Sequence, residues 1–321
     1  MRYLTELSEK AFLEAARNVP YQQINSDLFP GIDLWIRRDD LIDPIISGNK
    51  AYKLLFNLLE ARKQGNDTIV TCGGAWSNHI HATAAAGQRF GFKTIGIIRG
   101  ERPPVPSAML QDAERFGMEL RFVSRSEYRR RNEPDFVGSL GLSGNDSWFV
   151  PEGGENAQGA QGVRLLGKTI AATSPVRFDE CWLACGTGLT LGALASSLPK
   201  TTKAVGVAVL KAERSIAAAI VDWGGSLPSG SNPELITGGH CGGYGKVDES
   251  LIAFLDEVGQ QTGVVLDQVY TGKVTKALGE LCEQGDSKMG EGRRQRVLLL
   301  HTGGLQGARG HRPRRGGEGS R

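Results

Sequence analysis

From residue 50 onward the chain alternates short apolar runs with longer amphipathic ones, and this limits the fold more than any other feature. A helical run near 50–64 precedes DTIVTC (67–72), a second near 77–90 precedes KTIGIIRG (93–100), and a third near 107–116 precedes ELRFVS (119–124). Strands separated by helices of that length are joined by crossovers, so they pair in parallel with helices packed on the sheet faces. After the polar stretch RSEYRRRNEPDF come WFVPEGG (148–154) and a helix near 157–172. A second series follows: FDECWLAC (178–185), the helical TLGALASSL, KAVGVAVL (203–210), the helical KAERSIAAAIVDW, and DESLIAFLDEVGQQTG (248–263) with helical spacing. VVLDQVY (264–270) reads as a strand, and RVLLLHTGG (296–304) as a buried strand ending in glycines. Two such series, joined by a loop-rich middle, predict an α/β protein with two sheets and a cleft between them. EQGDSKMGEGRRQ (283–295) reads as a polar surface insertion.

Charge narrows the function classes. The net charge is +3, but RGHRPRRGGEGSR (309–321) holds five arginines and one glutamate, a net of +4, which leaves the rest of the chain at −1. A basic face for nucleic acid is therefore not expected on the folded part. The tail has no apolar periodicity and is expected to be disordered. The five cysteines, at 72, 181, 185, 241 and 282, form no C-x-x-C pair. That is a reduced, cytoplasmic pattern rather than a disulfide framework. No apolar run approaches the length of a membrane span, and the N-terminal segment lacks the apolar core of a signal peptide.

Several glycine clusters stand at ends of the apolar runs. In CGTGLTLGAL (185–194) a strand enters a glycine turn and then a helix, so backbone N–H groups converge with the helix start on an anion, phosphate or carboxylate. The hydroxyls of Thr187 and Thr190 add donors. No lysine follows the glycines and Leu191 takes the third glycine position, which excludes a Walker loop and a G-x-G-x-x-G fingerprint. In GGAWSNH (73–79) Ser77 stands at a helix N-cap. Capping accounts for Ser77 but not for two preceding glycines and a following Asn78-His79, so a second turn holding a carboxylate is the sharper reading. His79 reads as a packed or capping histidine.

ISGNKAYKL (46–54) puts Lys50 in the first turn of a helix and Lys53 one turn on, where the helix dipole opposes positive charge. A solvated helix end is the ordinary account. Beside an anion turn, the alternative is an amine kept neutral for Schiff-base chemistry with a carbonyl cofactor, with Lys53 against a phosphate. GGYGK (242–246) and VYTGK (269–273) each place a tyrosine, Tyr244 and Tyr270, beside glycine in a loop. Thr302, in HTGG, would stand at the carboxyl edge of a sheet, where ligands of α/β proteins bind.

Taken together and in this order, SGNKAYKL, GGAWSNH, GTGLT, VYTGK and HTGG resemble the pyridoxal-phosphate enzymes grouped as 1-aminocyclopropane-1-carboxylate deaminases and D-cysteine desulfhydrases. The resemblance runs from about residue 10 to 307. It implies the tryptophan-synthase-β-like fold (fold type II), with two open-sheet, three-layer domains and the active site in the cleft between them. Residues 1–50 and 160–308 would form the cofactor-binding domain and 51–159 the smaller one. It further implies that Lys50 is the Schiff-base lysine, that Lys53 and the turn Gly186, Thr187, Gly188, Leu189 and Thr190 hold the phosphate, and that Asn78 meets the ring oxygen. Ser77 would hold the substrate carboxylate, with His79, Tyr244 and Tyr270 facing the substrate. A homodimer acting on a small amino acid is implied as well.

The two branches of the family differ at two positions. Deaminases carry glutamate after the VY tyrosine and leucine in the later H-x-G-G turn; here Thr271 and Thr302 match the desulfhydrase branch. The resemblance therefore implies β-elimination from D-cysteine, giving pyruvate, hydrogen sulfide and ammonia, with Lys50 or a tyrosine as the α-proton base. Cyclopropane deamination, or another lyase or racemase reaction on the same fold, is the alternative. A nucleotide-binding α/β protein would account for GTGLT but not for Lys50. Tyr52 departs from the family, where many members carry arginine.

Overall fold

The computed structural model describes residues 4–144, 146–225, 232–243, 246–285 and 294–310. Within them α1 spans Glu9–Arg17, β1 Tyr21–Ile24, β2 Ile32–Arg37 and α2 Asn49–Lys63. Next come β3 (Thr68–Gly73), α3 (Asn78–Phe90), β4 (Lys93–Arg99), α4 (Ala108–Arg115) and β5 (Met118–Val123). Two short helices, α5 (Arg125–Tyr128) and α6 (Phe136–Ser139), lead to β6 (Ser147–Val150) and α7 (Ala157–Thr173). The remainder comprises β7 (Glu180–Cys185), α8 (Leu189–Ala195), β8 (Lys203–Ala208), α9 (Glu213–Gly224), β9 (Glu234–Ile236), α10 (Glu249–Thr262), α11 (Thr271–Glu283) and β10 (Gln295–Leu300).

The strands form two sheets, as the alternation predicts. One has the order β5-β4-β3-β6 and is parallel throughout. The other has the order β1-β2-β10-β7-β8-β9, parallel except where β1 runs against β2. β10, the last strand among the described residues, sits in the middle of its sheet, with Leu298 opposite both Trp35 and Cys181. Helices α2 and α7 pack along each other where the two sheets meet. Leu54 and Leu58 of α2 share one apolar cluster with Val163 and Leu166 of α7 and Leu298 of β10. The approach is close: a Cβ on Gly162 would lie 1.9 Å from the Tyr52 carbonyl oxygen.

The structure departs from the sequence reading in three segments. The chain before residue 50 contributes β1 and β2, which the reading missed because β2 ends in Arg37. That arginine is fully buried, donating to Asp39 Oδ1, the Tyr21 hydroxyl, the Ala16 carbonyl and the Tyr52 hydroxyl. Tyr52, the departure from the family pattern, thus belongs to a buried polar network and also donates to Asp39 at 2.8 Å. VVLDQVY is not a strand. Asp267 within it accepts the N–H groups of Val269, Tyr270 and Thr271 at 2.7–2.9 Å, which spends the run on a turn that starts α11. That helix was not foreseen, since its cap lies four residues upstream of Thr271.

The sequence 283–295 falls largely on residues 286–293, outside the described residues, and so does 311–321 of the basic tail. Arg309 is part of the last described turn, Leu305–Gly310, and its guanidinium pairs with Asp112 of α4. All five cysteines are free, four of them buried. Among the described residues no helix is long and apolar enough to cross a membrane, and no cluster of side chains is suited to a metal ion.

Candidate active site

The loops at the carboxyl ends of β3, β6, β7 and β10 and the start of α2 open onto one cleft of about 850 Å³. That is the edge of parallel sheets at which ligands bind. Gly48 lets α2 begin there. It has φ 65°, and a Cβ on it would fall 1.9 Å from the Thr302 carbonyl oxygen, so the chain can pass only as glycine. The next residue, Asn49, donates to the Thr190 hydroxyl at 3.4 Å and accepts from Lys50 Nζ at 3.2 Å. The start of α2 is thereby tied to the glycine turn after β7 and to the turn after β10.

Lys50 and Lys53 both face this cleft. Burial, and then the neighbouring Lys53, pushes the Lys50 amine well below its ordinary value. The helix dipole that drew attention to the sequence is thus not the main device. Lys53 is itself 2% exposed, donates to the Gly153 carbonyl at 3.0 Å, and is lowered by burial to about 8 against the pull of Glu155. Burial raises the Glu155 carboxyl, which accepts the Trp223 indole N–H at 3.3 Å.

Most of the residues singled out in the sequence line the same space: Ser77, Asn78 and His79 from one loop, Gly186, Thr187 and Thr190 from another, with Tyr270 and Thr302. Ser77 caps α3, accepting from Ile80 N. Cε1 of Tyr270 lies 3.8 Å from where a Cβ on Gly186 would stand. Gly188 and Leu189 support the turn from behind. A Cβ on Gly188 would meet the Ile216 carbonyl at 2.6 Å, and Leu189 is fully buried. Thr271 is buried too, its hydroxyl 3.4 Å from that of Thr302. Tyr244 lies outside the described residues.

His79 is 1% exposed and, among the described residues, neither ring nitrogen has a hydrogen-bond partner. Burial, then Lys50 and Lys53, keeps it neutral by pushing its pKa well down. A buried, unpaired imidazole costs free energy unless something else meets it. Beside it, a Cβ on Gly154 would stand 3.1 Å from Lys53 Cβ and 3.5 Å from His79 Cε1, and a Cβ on Gly153 would stand 3.3 Å from the Thr187 methyl. Glycine-walled space, two amines of lowered pKa, donor hydroxyls and an orphaned imidazole fit a compact phosphorylated aldehyde.

The sequence reading missed Asn49, Gly153, Gly154, Arg99, Glu155 and Asp267. Arg99 ends an apolar strand at its carboxyl edge, a position that could have marked it.

The family model described as "Pyridoxal-phosphate dependent enzyme" matches residues 14–303. The chain belongs to that family. Its cofactor is pyridoxal phosphate, and the resemblance read from its motifs stands. A protein of Pyrococcus horikoshii named putative 1-aminocyclopropane-1-carboxylate deaminase is 32% identical over 291 residues, 86% of each chain. The bifunctional D-cysteine desulfhydrase/1-aminocyclopropane-1-carboxylate deaminase of Arabidopsis thaliana is 30% identical, over 95% of this chain and 80% of that one. The D-cysteine desulfhydrase of Yersinia enterocolitica is 29% identical, over 85% and 87%. Among solved structures, an ACC deaminase homologue superposes with a TM-score of 0.74 at 29% identity over 90% of both chains. A hydrogen sulfide-producing enzyme of Fusobacterium nucleatum, at 16% identity and a TM-score of 0.64, shares the fold, covering 92% of this chain and 98% of that one. This pyridoxal-phosphate enzyme is therefore of fold type II, with its cleft between two α/β sheets.

Proposed function

We propose that the enzyme catalyses β-elimination from a small amino acid, D-cysteine before others, giving pyruvate, hydrogen sulfide and ammonia. The observation that carries the choice of reaction is the pair of neutral hydroxyls, Thr271 and Thr302, 3.4 Å apart. A carboxylate against the pyridine nitrogen would hold it protonated; a hydroxyl does so less. Expelling a thiolate from Cβ asks less of the electron sink than opening a cyclopropane. The relatives named D-cysteine desulfhydrase support the same reading. Those named deaminase favour the second one, cyclopropane opening.

Pyridoxal phosphate, when bound, supplies the sink for the electron pair left on Cα. Lys50 is its covalent anchor, and Lys50 Nζ takes the α-proton. Burial beside Lys53 favours the unprotonated amine that a base at neutral pH must be. Lys53, the hydroxyls of Thr187 and Thr190, and the N–H groups of Gly186 to Leu189 hold the phosphate. Asn78 meets the ring oxygen. Ser77 and the amides of its loop hold the substrate carboxylate, and Tyr244, Tyr270 and His79 border the substrate. In this scheme residues 1–50 and 160–308 form the cofactor-binding domain and 51–159 the smaller one, following the membership of the two sheets. The enzyme works in the cytoplasm as a homodimer, a state that light scattering would check.

The purified protein, loaded with pyridoxal phosphate, should be yellow and should release pyruvate and sulfide in equal amounts from D-cysteine. It should release no 2-oxobutyrate from the cyclopropane acid; the reverse pattern would assign it to the deaminases. Borohydride should fix the cofactor onto the peptide carrying Lys50, and Lys50→Ala should lose both the fixed label and turnover.

A further inference from the structure

α11 carries a lysine that the scheme above does not use. Lys273 is 1% exposed and stands behind the cleft rather than in its wall. Burial pushes its amine below the ordinary value, while Cys241, Asp267 and Asp248 pull it back up. Neither acid pairs with it. Asp267 gives its two oxygens to the N–H groups of Val269, Tyr270 and Thr271, and Asp248 caps α10 by accepting from Leu251 N at 2.8 Å. Among the described residues, the partners of Lys273 Nζ are two backbone carbonyl oxygens, those of His240 at 2.7 Å and Gly243 at 2.8 Å.

Those carbonyls are the two ends of one turn after β9. Gly243 N–H donates to the His240 carbonyl at 3.0 Å and Lys246 N–H to the Gly243 carbonyl at 3.2 Å, so each oxygen accepts twice. The turn belongs to no helix or strand. Its backbone has φ 45° at Cys241, 88° at Gly242 and 129° at Gly243. The left-handed conformation of Cys241 is unfavourable by about 1–2 kcal/mol for a residue with a side chain. Such a backbone persists only where its surroundings fix it. The fixing group here is a charge set between carbonyl oxygens, with no carboxylate against it. That is the way a protein holds a bare monovalent cation, its carbonyl dipoles replacing water. Gly243 borders the cleft, and Tyr244 is the next residue.

We propose that Lys273 is a built-in monovalent cation: its ammonium stands where a potassium ion would otherwise be needed to shape the His240–Gly243 turn, and so sets how Tyr244 enters the cleft. Lys273 is a positioning residue. It acts through the turn and touches neither substrate nor cofactor. The link to catalysis rests on the reading of Tyr244 as a border of the substrate; the cation site itself does not. The enzyme therefore needs no added monovalent ion, and removing the ammonium should create a need for one.

The test compares holoenzyme in potassium chloride with holoenzyme in choline chloride at the same ionic strength. Potassium cannot add to an aldehyde, so it leaves the cofactor's carbonyl alone. Wild-type protein should unfold at the same temperature, and turn over D-cysteine at the same rate, in both salts. Lys273→Ala empties the site. In choline it should lose about 10- to 100-fold in kcat/KM, the scale of hydrogen bonds to a charged group, and potassium should restore most of that loss and raise Tm. Lys273→Met fills the space without charge, so it should fold, show the same loss and respond to neither salt. Wild-type kinetics in Lys273→Met would overturn the proposal. So would a Lys273→Ala protein indifferent to potassium, or a wild-type enzyme that itself requires potassium. The Tm arm needs no substrate. A potassium-dependent Tm confined to Lys273→Ala, in a protein inert towards D-cysteine, would uphold the cation site and remove the desulfhydrase reading.

Discussion

Lys50 and Lys53 lie one helical turn apart in the same cleft, and Lys53 makes the site sensitive to pH in a way that can be measured. Its folded value of about 8 lies below the ordinary 10.5, so between those values the unfolded chain binds more protons than the folded one. The cofactor-free protein should therefore gain stability as pH rises through that window, by about 3 kcal/mol at most. A phosphate dianion reverses the preference by restoring the ammonium. Binding of pyridoxal phosphate to Lys50→Ala at pH 9 should thus take up a proton, and affinity should weaken as pH climbs above 8. Calorimetry in two buffers of different ionisation enthalpy reads the uptake, which Lys53→Met should abolish; uptake that persists in Lys53→Met assigns the proton elsewhere. At this scale the sequence was informative where a residue belonged to a motif. Lys50, Ser77 and Thr190 each sit in a glycine-punctuated turn that restricts what the backbone can do. Glu155 was not legible, because its meaning comes from Trp223, a neighbour far away in the chain.

Among the elements, α11 owes its start to a residue outside it. Asp267 is 2% exposed, and its two carboxylate oxygens satisfy three N–H groups that would otherwise be unpaired at the start of α11. The same turn positions Tyr270 and Thr271. Asp267→Ala should cost about 2 kcal/mol in urea denaturation, the scale of a lost helix cap. Asp267→Asn, which keeps one acceptor, should fall between; a change within error for both would show that water replaces the carboxylate. Local pattern explains why VVLDQVY was misread. Its apolar residues are mainly β-branched or aromatic and its propensity favours a strand, yet one buried carboxylate redirects the backbone. The parallel strands β3, β4, β7, β8 and β10 were legible because each is a compact apolar run between helical segments. β1 and β2 were not, since β2 carries an arginine whose burial depends on Asp39, Tyr21 and Tyr52.

The two sheets meet along α2 and α7, so the packing of these helices sets where both lysines stand. Gly162 has no room for a side chain against Tyr52, whereas a Cβ on Gly259 of α10 would find its nearest neighbour, the Val264 carbonyl oxygen, at 3.9 Å. Gly162→Ala should therefore destabilise by about 1–3 kcal/mol and weaken cofactor binding with it. Gly259→Ala should be neutral or stabilise by about 0.5–1 kcal/mol, since alanine suits a helix better than glycine. Thermal unfolding with and without pyridoxal phosphate separates the two, and a Gly162→Ala protein with unchanged cofactor affinity would break the link between helix spacing and site. The position of β10 bears on how the protein is made. All four strands of the smaller sheet have been synthesised by residue 150, but the larger sheet lacks its middle strand until residue 300 has left the ribosome. Until then β2 and β7 keep open edges, the kind of surface on which nascent chains aggregate. The backbone joint between Gly48 and Thr302 cannot form either, so residue 302 must be made before Lys50 has a site to stand in.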